Sequence, residues 1–306
     1  MESVRILVVG SIVLDRVLRV AEFPRPGESV RGEVVGVFPG GKGANQAVCA
    51  ARLGAITSFC GAIGPDPDGT EMIMKLRSEQ IDCTMVHSIE RSATGTAGIT
   101  LNDLGQNTIV VALGANMLFE PEHALKAAHQ QLHHVLLLQG EIPLEASRAA
   151  AEASQGLVIF NPAPAIAPPL SMYPMIDVLT PNEVEAEYLV GYPIHDERTA
   201  EKAAKELLVR GCKSVVITLG AKGAYFRSED DEGLIRAPLV PAVDTVGAGD
   251  CFNGALAFAL AQKLELRQAT RFAVHCASHS VQHVGAQTGM PYFDELEKEV
   301  RELIAT

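Results

Sequence analysis

Short apolar runs rich in Val, Ile and Leu alternate with alanine-rich stretches of helical character along most of this chain. Such alternation is typical of strands joined by crossover helices, which form a parallel sheet covered on both faces. The apolar runs predict strands at 5–10, 56–62, 135–139, 157–160, 176–179 and 213–218. The alanine-rich stretches predict helices at 43–53, 69–79, 121–132, 145–154, 182–190, 197–210, 248–263, 267–283 and 293–304. The 306 residues suffice for one large α/β domain or two ordinary ones.

Two segments depart from this alternation. Residues 13–38 and 94–112 are rich in β-branched residues, punctuated by glycine and roughly alternating in polarity. The pattern predicts antiparallel hairpins, which cannot join a parallel core. We expect these segments to form a small β lid that projects from the main domain. Since they flank a glycine-rich loop, we expect the lid to cover a substrate.

Residues 244–250 read DTVGAGD and are followed at once by an apolar, helix-forming run. A turn of small residues that opens a helix directs several backbone N–H groups outward beside the positive end of the helix dipole. This arrangement attracts phosphate. The adjacent Asp250 would repel a plain anion, so it makes chemical sense as a proton acceptor for a hydroxyl while the amides of residues 247–249 stabilise a phosphoryl group. The alternative is a glycine-rich turn in which Asp250 only caps the helix.

A second glycine-rich loop, PGGKGANQA at residues 39–47, precedes the first long predicted helix. Its glycines allow close approach of the backbone to a ligand, and Lys42 and Asn45 offer donors suited to hydroxyl oxygens. The loop lacks the GKS or GKT of a Walker A motif, and it does not directly follow the first strand as a dinucleotide-binding loop would. Taken alone, such a loop is a weak signal, and a plain helix-entry turn explains it better.

The formal net charge of −12 argues against a nucleic-acid-binding surface and against an anionic membrane as partners. None of the cysteines has metal-ligand spacing, and most lie in apolar stretches, where buried free thiols are expected. No apolar run is long enough to span a bilayer, and the first residues do not resemble a signal peptide. We therefore expect a cytoplasmic protein.

The two glycine-rich loops together resemble the two signatures of the ribokinase-type, or phosphofructokinase-B-type, carbohydrate kinases. Their order and separation match, and the resemblance runs along the whole chain. It implies one domain over residues 1–306 with a three-layer α/β/α ribokinase-like fold and a lid that often pairs between two subunits of a homodimer. Other segments resemble the same family, namely LQGE at 138–141, NPAPA at 161–165, TPNEVE at 180–185, TLGAKG at 218–223 and GAQ at 285–287.

The resemblance also implies roles in phosphoryl transfer and sugar binding. Asp250 would be the general base, and the backbone of Gly247, Ala248 and Gly249 would form the anion hole. Planar polar groups suit adjacent sugar hydroxyls, and the residues implied to hold the sugar are Asp15, Gly41, Lys42, Asn45, Glu141 and Asp250.

For the second substrate the resemblance implies ATP with Mg²⁺. The residues implied to bind the nucleotide are Asn182, Thr218, Gly220, Lys222, Gly223 and Gly249. Glu185 would hold Mg²⁺ through water, which fits a cation that prefers oxygen ligands and keeps several waters. A K⁺ activator would lie among Asp244, Val246, Ser280, His283 and Gly285.

Three positions differ from the family pattern. Val13 stands where these kinases usually carry Asn, two residues before the sugar-binding Asp, and valine cannot hydrogen-bond a hydroxyl. Gly289 replaces a serine that helps to hold the monovalent cation. Val274 replaces the Asn or His that relatives often place beside adenine.

Three histidines recur at every fourth position of one predicted helix, at 275, 279 and 283. This spacing suits a metal, but no carboxylate or cysteine at a matching spacing completes a site. We therefore favour a partly buried or nucleotide-facing stripe.

Our hypothesis is a sugar kinase that transfers the ATP γ-phosphoryl group to a primary hydroxyl, O5 of D-ribose, while lid closure excludes water. Because of Val13, the alternative within the family is a kinase for another sugar or for a nucleoside. The alternative outside the class is a sugar-binding regulator without catalysis. A dehydrogenase is disfavoured, since the first strand leads to GSIVLD at 10–15 and not to a dinucleotide loop.

Overall fold

The computed structural model describes residues 3–104 and 106–305. Residues 1, 2 and 306 of the predicted domain lie outside the described residues, as does residue 105 of the predicted lid segment 94–112. The strands in chain order are β1 (Arg5–Val9), β2 (Val13–Val20), β3 (Gly32–Gly40), β4 (Ile56–Ile63), β5 (Asp82–Ser88), β6 (Gly95–Asn102), β7 (Asn107–Ala112), β8 (Val135–Gln139), β9 (Leu157–Asn161), β10 (Val178–Leu179), β11 (Ser214–Thr218), β12 (Ala224–Arg227) and β13 (Glu232–Ile235).

The helices lie between these strands and after them. In chain order they are α1 (Lys42–Arg52), α2 (Pro67–Ser78), α3 (Pro121–Gln130), α4 (Leu144–Ala153), α5 (Glu183–Val190), α6 (Glu197–Val209), α7 (Ala248–Ala261), α8 (Leu266–Ser280), α9 (Ala286–Gly289) and α10 (Lys298–Ala305).

The main sheet contains nine strands within the described part of the chain, in the order β13-β12-β11-β10-β9-β8-β1-β4-β5. The strands from β11 to β5 are parallel to one another, and β12 and β13 add an antiparallel edge. Alternation along β1 shows why both faces need cover: Ile6 and Val8 enter one buried cluster, whereas Leu7 and Val9 enter the other.

Two hydrophobic clusters occupy the two faces of this sheet. The first contains buried residues of α1, α2, α7 and α8, and the second contains those of α3, α4, α5 and α6. Helices therefore cover both faces, which confirms the predicted three-layer α/β/α fold with a mostly parallel sheet. All six cysteines are buried free thiols, as expected.

A separate small sheet has the order β3-β2-β6-β7, so both predicted lid segments contribute strands to it. The predicted antiparallel arrangement was wrong for its central pair, because β2 and β6 run parallel over the full length of both strands. The outer pairs β2–β3 and β6–β7 are antiparallel. Hairpin logic describes only strands that are neighbours in sequence, and the 74 residues 21–94, which include β3, α1, β4, α2 and β5, separate β2 from β6.

The other predictions need smaller corrections. The sequence pattern missed β5, β12 and β13, which are short and lie at the two edges of the main sheet. The predicted helix 293–304 is wrong at its start, because a short 3₁₀ turn at Phe293–Glu295 precedes α10. Within the ranges given above, none of the helices combines the length and apolar character needed to cross a membrane.

Candidate active site

The predicted site residues meet at the carboxyl ends of the parallel strands, the edge where open α/β sheets bind ligands. β1 leads into the 10–15 segment, β8 ends at Gln139 just before Glu141, and β11 ends at Thr218. The two glycine-rich loops open α1 and α7, which pack against each other over the same edge. The fold therefore brings residues of both signatures into one cleft.

Asp250 lies in the first turn of α7 and is only 7% exposed. Two amide groups of α1 donate to its carboxylate. Asn45 Nδ2 lies 2.9 Å from Asp250 Oδ2, and Gln46 Nε2 lies 3.2 Å from Asp250 Oδ1. The carboxylate therefore faces the 39–47 segment at the start of α1 and does not cap its own helix, which contradicts the capping interpretation of this motif.

The turn before Asp250 requires glycine at position 247. Gly247 caps α7 with φ +78°, a left-handed conformation that favours glycine. A Cβ there would lie 2.7 Å from the Ala286 Cβ atom. Of the predicted anion-hole amides, that of Ala248 donates to the Thr245 carbonyl at 3.2 Å. A Cβ at Gly249 would meet no atom within 4 Å, because this residue borders an open cavity.

Asp15, Lys42 and Glu141 form the charged wall of the predicted sugar site. Burial, reinforced by the negative charges of Glu141 and Asp250, raises the pKa of Asp15 to about 6. Burial alone would lower the pKa of Lys42, but the attraction of Asp250, Glu141 and Glu185 outweighs it and raises that pKa. These pKa shifts indicate that one ammonium group, that of Lys42, interacts with several carboxylates in a partly dehydrated cleft. The carboxylates that interact here are those of Asp15, Glu141, Glu185 and Asp250.

Glu141 is held at the base of this wall. Its Oε2 atom accepts from Ser11 Oγ at 2.6 Å and from the Lys42 backbone N–H at 2.9 Å. The loop can approach so closely because Gly41 has φ +89° and a Cβ there would lie 2.8 Å from the Val13 backbone nitrogen. Gly41, Lys42 and Glu141 are thus brought together, as predicted for a shared sugar site.

A cavity of about 360 Å³ opens on the other side of the Asp250 turn. Of the predicted nucleotide-binding residues, Thr218, Gly220, Gly223 and Gly249 line it. Its remaining walls are mostly apolar and include Val274. Lys222 makes different contacts: its Nζ donates to the His195 carbonyl at 2.7 Å and lies 3.7 Å from Glu183.

Asn182 and Glu185 form a reciprocal cap at the start of α5. The Glu185 N–H donates to Asn182 Oδ1 at 2.8 Å, and Glu185 Oε2 accepts from the Asn182 N–H at 2.8 Å. Glu185 is only 6% exposed, and burial raises its pKa, with Asp250 adding to the shift. Glu185 shares the single ammonium group of Lys42 with Asp250 and Glu141, and its oxygens already accept two hydrogen bonds from Asn182. Such a carboxylate fits a cation held through water.

Asp244 connects the loops predicted to hold a monovalent cation. Its Oδ1 atom accepts from the Val246 N–H at 3.0 Å and its Oδ2 atom from the Gly285 N–H at 2.8 Å. Ser280 Oγ donates to the Ala277 carbonyl, and the backbone of Gly289 packs against the Ser280 carbonyl and His283. The five predicted residues therefore gather around the turns at 244–246 and 280–285.

The predicted helix 267–283 is wrong at its end, because α8 stops at Ser280 and His283 follows it, so the three histidines do not share one helix. His279 and His283 stack with ring centroids 4.9 Å apart, and burial lowers the pKa values of His275 and His279. For residues 3–104 and 106–305, no group of three or more His, Cys, Asp or Glu residues has the geometry to hold a metal ion.

Our sequence reasoning missed several buried side-chain amides that lie near Asp250. Gln46 Nε2 also lies 3.2 Å from Asn161 Oδ1, and Gln46 Oε1 accepts from Gln139 Nε2 at 2.8 Å. Asn253 Nδ2 donates to the Gly249 carbonyl at 2.8 Å, behind the anion hole. One signal was available: each is a large amide in an otherwise small or apolar stretch, where an unpaired polar group is costly.

A carboxylate beside a glycine-opened helix, a polar wall and an adjoining apolar cavity suit a phosphotransferase, which moves a phosphoryl group from a nucleotide donor to a hydroxyl acceptor. Comparison with known proteins specifies the class. Residues 4–292 match the pfkB family carbohydrate kinases. This chain belongs to that family, and it is a kinase that phosphorylates an alcohol group.

Individual relatives agree with this assignment. The chain is 39% identical over 289 residues to a ribokinase of Haemophilus influenzae, covering 93% of this chain and 94% of that protein. It is 34% identical over 295 residues to a deoxyribokinase of Salmonella typhi, covering 95% and 96%. The solved structure of an Arabidopsis thaliana ribokinase complexed with ribose and ATP superposes with a TM-score of 0.88 and 30% identity, over all of both chains.

Proposed function

We propose that this protein transfers the γ-phosphoryl group of ATP to O5 of D-ribose. The observation that carries the proposal is the position of Asp250, between the polar wall of Asp15 and Glu141 and the cavity bordered by Gly249. A sugar on the first side and a nucleotide on the second would meet at this carboxylate. The similarity to ribokinases, one of them solved with ribose and ATP, supports both substrates.

In this mechanism Asp250 takes the proton from the attacking hydroxyl. The amides at the start of α7 then stabilise the negative charge of the phosphoryl group in transit, assisted by the helix dipole. Asp15 and Glu141 would accept hydrogen bonds from sugar hydroxyls, and the ammonium of Lys42 would offset the negative charge of this wall. Phosphoryl transfer depends mainly on positioning and charge neutralisation, so this set is sufficient.

Two cations complete the proposal. Mg²⁺ would be held through water by Glu185 beside Asn182, and when bound it neutralises charge on the phosphates. K⁺ would lie between the turns that carry Asp244, Val246, Ser280, His283 and Gly285, where Asp244 supplies a carboxylate. These turns flank the start of α7, so a cation there would add positive potential near the anion hole.

Val13 favours a second candidate substrate, a pentose that lacks one hydroxyl. Val13 and Asp15 lie two positions apart on β2, so their side chains project from the same face of the strand. A valine on this face offers no hydrogen bond to a sugar hydroxyl. The Salmonella typhi relative, a deoxyribokinase, makes 2-deoxy-D-ribose the natural compound to compare with ribose.

Release of ADP from ATP with a panel of sugars and nucleosides tests the proposal. We expect turnover with D-ribose that depends on Mg²⁺, and Asp250→Asn should lower kcat by about a thousandfold or more while sugar affinity stays within about threefold. Turnover that survives this substitution contradicts the base assignment. A higher kcat/KM with 2-deoxy-D-ribose or a nucleoside would select that alternative.

Absence of ADP release with every compound, together with measurable sugar binding by calorimetry, would instead favour the non-catalytic regulator. Calorimetry on Asp250→Asn is the control for the regulator hypothesis, because in a non-catalytic protein this substitution can change only the affinity for the sugar.

We further propose that the protein acts as a cytoplasmic homodimer paired through its small sheet. The free thiols of the cysteines suit a reducing compartment. Apolar side chains on the small sheet are solvent-exposed in the single chain, among them Val34 and Val110 at 76% each. Such a surface is typical of a face that another protein chain covers.

A further inference from the structure

Gln46 is a fully buried amide that contacts Asp250 without belonging to the predicted sugar or nucleotide sites. Its orientation is determined by its neighbours. The Nε2 end faces Asp250 Oδ1 and Asn161 Oδ1, each at 3.2 Å, whereas its Oε1 end accepts from Gln139 Nε2 at 2.8 Å. A flipped amide would place two oxygens against each other, so only the N–H end can face the carboxylate.

The second oxygen of Asp250 has a parallel arrangement. Asn45 Nδ2 donates to Asp250 Oδ2 at 2.9 Å, and Asn45 Oδ1 accepts from Gln287 Nε2 at 3.0 Å. Gln287 lies on α9, is 7% exposed, and determines which end of the Asn45 amide faces Asp250. Each carboxylate oxygen of Asp250 therefore has one amide donor. Gln46 is one of these donors, and Gln287 contacts the other donor, Asn45.

These contacts have one physical consequence. Two N–H donors in different directions restrict rotation of the carboxylate and leave its remaining lone pairs for the attacking hydroxyl. The nucleotide should be little affected, because neither glutamine is among the residues that line the nucleotide cavity.

We propose that Gln46 and Gln287 are positioning residues for phosphoryl transfer, Gln46 holding Asp250 directly and Gln287 holding it through Asn45. The proposal rests on the proposed function, in which Asp250 is the general base. It predicts a loss of turnover without a matching loss of ATP binding for both residues, and without a matching loss of sugar binding for Gln46, since Gln287 also contacts Asn45, a predicted sugar-binding residue.

The test compares Gln46→Leu and Gln287→Leu with the unmodified protein, using ribose and ATP. We expect kcat to fall about tenfold to a hundredfold in each variant, with the KM for ATP within about threefold in both. The KM for ribose should also stay within about threefold in Gln46→Leu, whereas Gln287→Leu can raise it through Asn45. The charged groups near Asp250, namely Asp15, Lys42 and Glu185, are the same in every variant.

Gln131→Leu is the matched control. Gln131 is a half-buried glutamine at the end of α3, in the opposite helical layer, and its substitution should leave kcat and both KM values unchanged. Thermal unfolding checks that each variant is folded. Gln46→Met, which keeps the side-chain length, replaces Gln46→Leu if that variant does not fold, and Gln287 provides an independent position.

The outcomes separate this proposal from the proposed function. If Asp250→Asn abolishes turnover but the folded glutamine variants keep kcat within about twofold, only the positioning role is overturned. A higher KM with unchanged kcat overturns it as well. If Asp250→Asn retains turnover, both proposals fail together.

Discussion

Asp15 illustrates how the fold changes the chemistry of a single residue. An aspartate carboxyl ordinarily has a pKa of 3.8, and burial together with the charges of Glu141 and Asp250 raises the pKa of Asp15 to about 6. A raised pKa means that the group gains its proton as the pH falls through about 6, whereas an exposed aspartate would remain ionised there. The proposed sugar site therefore loses an acceptor in mildly acidic solution.

We predict that kcat/KM for ribose decreases as the pH falls through about 6. The reason is that ionised Asp15 accepts hydrogen bonds from sugar hydroxyls better than the neutral acid does. Asp15→Asn should raise the KM for ribose by about tenfold or more and remove this inflection. Steady-state kinetics between about pH 5 and 8 checks the prediction. The KM for ATP is the internal control, and a flat ribose profile would contradict it.

At this scale the sequence predicts the charged residues of the site but not the amides that orient them. Asp15, Asn45, Glu141 and Asp250 belong to recognisable motifs, and the structure brings them together. Gln46 contacts Asp250 across 204 positions of sequence and Gln139 across 93. Such contacts depend on how α1 and α7 pack over the sheet, and no local pattern encodes that packing.

At the scale of elements, the start of α7 forms the turn that we propose as the anion hole. The helix begins after Gly247, whose left-handed φ turns the chain so that the first-turn backbone borders the cavity. Ala286, the first residue of α9, packs directly against Gly247. The short helix α9 therefore supports the turn from behind, and side-chain bulk at position 247 would push the two elements apart.

We predict different effects for two glycine substitutions in this turn. Gly247→Ala should lower the free energy of unfolding by about 1–3 kcal/mol, through its positive φ and the clash with Ala286. Gly249→Ala is the matched comparison: its Cβ meets no atom within 4 Å, so stability should not fall, but the added methyl group borders the cavity and should raise the KM for ATP. Urea unfolding and steady-state kinetics measure both effects. Equal losses of stability would contradict the assignment.

Elements were predictable where they are long and buried. The central parallel strands and the helices α1 to α8 follow from apolar runs and alanine-rich periodicity. In contrast, β5 reads DCTMVHS and is half exposed at a sheet edge, so its sequence carries no clear alternation. The parallel pairing of β2 with β6 was also beyond prediction, because the strands are distant in sequence and share only their β propensity.

At the scale of the whole molecule, the small sheet differs from the rest of the fold. The main sheet is covered by helices on both faces, whereas every residue of β7 and most residues of β3 are solvent-exposed in the single chain. Their side chains include Val34, Ile109 and Val110, with exposures of 76%, 51% and 76%. Surface of this kind is costly to leave in contact with water, and burial against a second copy would remove the cost.

We predict a dimer in solution that Val110→Lys converts to a monomer, because a buried lysine without a partner opposes association. Sedimentation velocity measures the mass directly. Val209→Lys is the matched control: Val209 is 88% exposed at the end of α6, far along the chain from the small sheet, and its substitution should leave the dimer intact. Dimerisation would also hold the small sheet of each subunit over the proposed sugar site of that subunit. The monomeric variant should then show a higher KM for ribose at unchanged thermal stability. A monomeric unmodified protein, or a dimer that withstands Val110→Lys, would contradict pairing through this sheet.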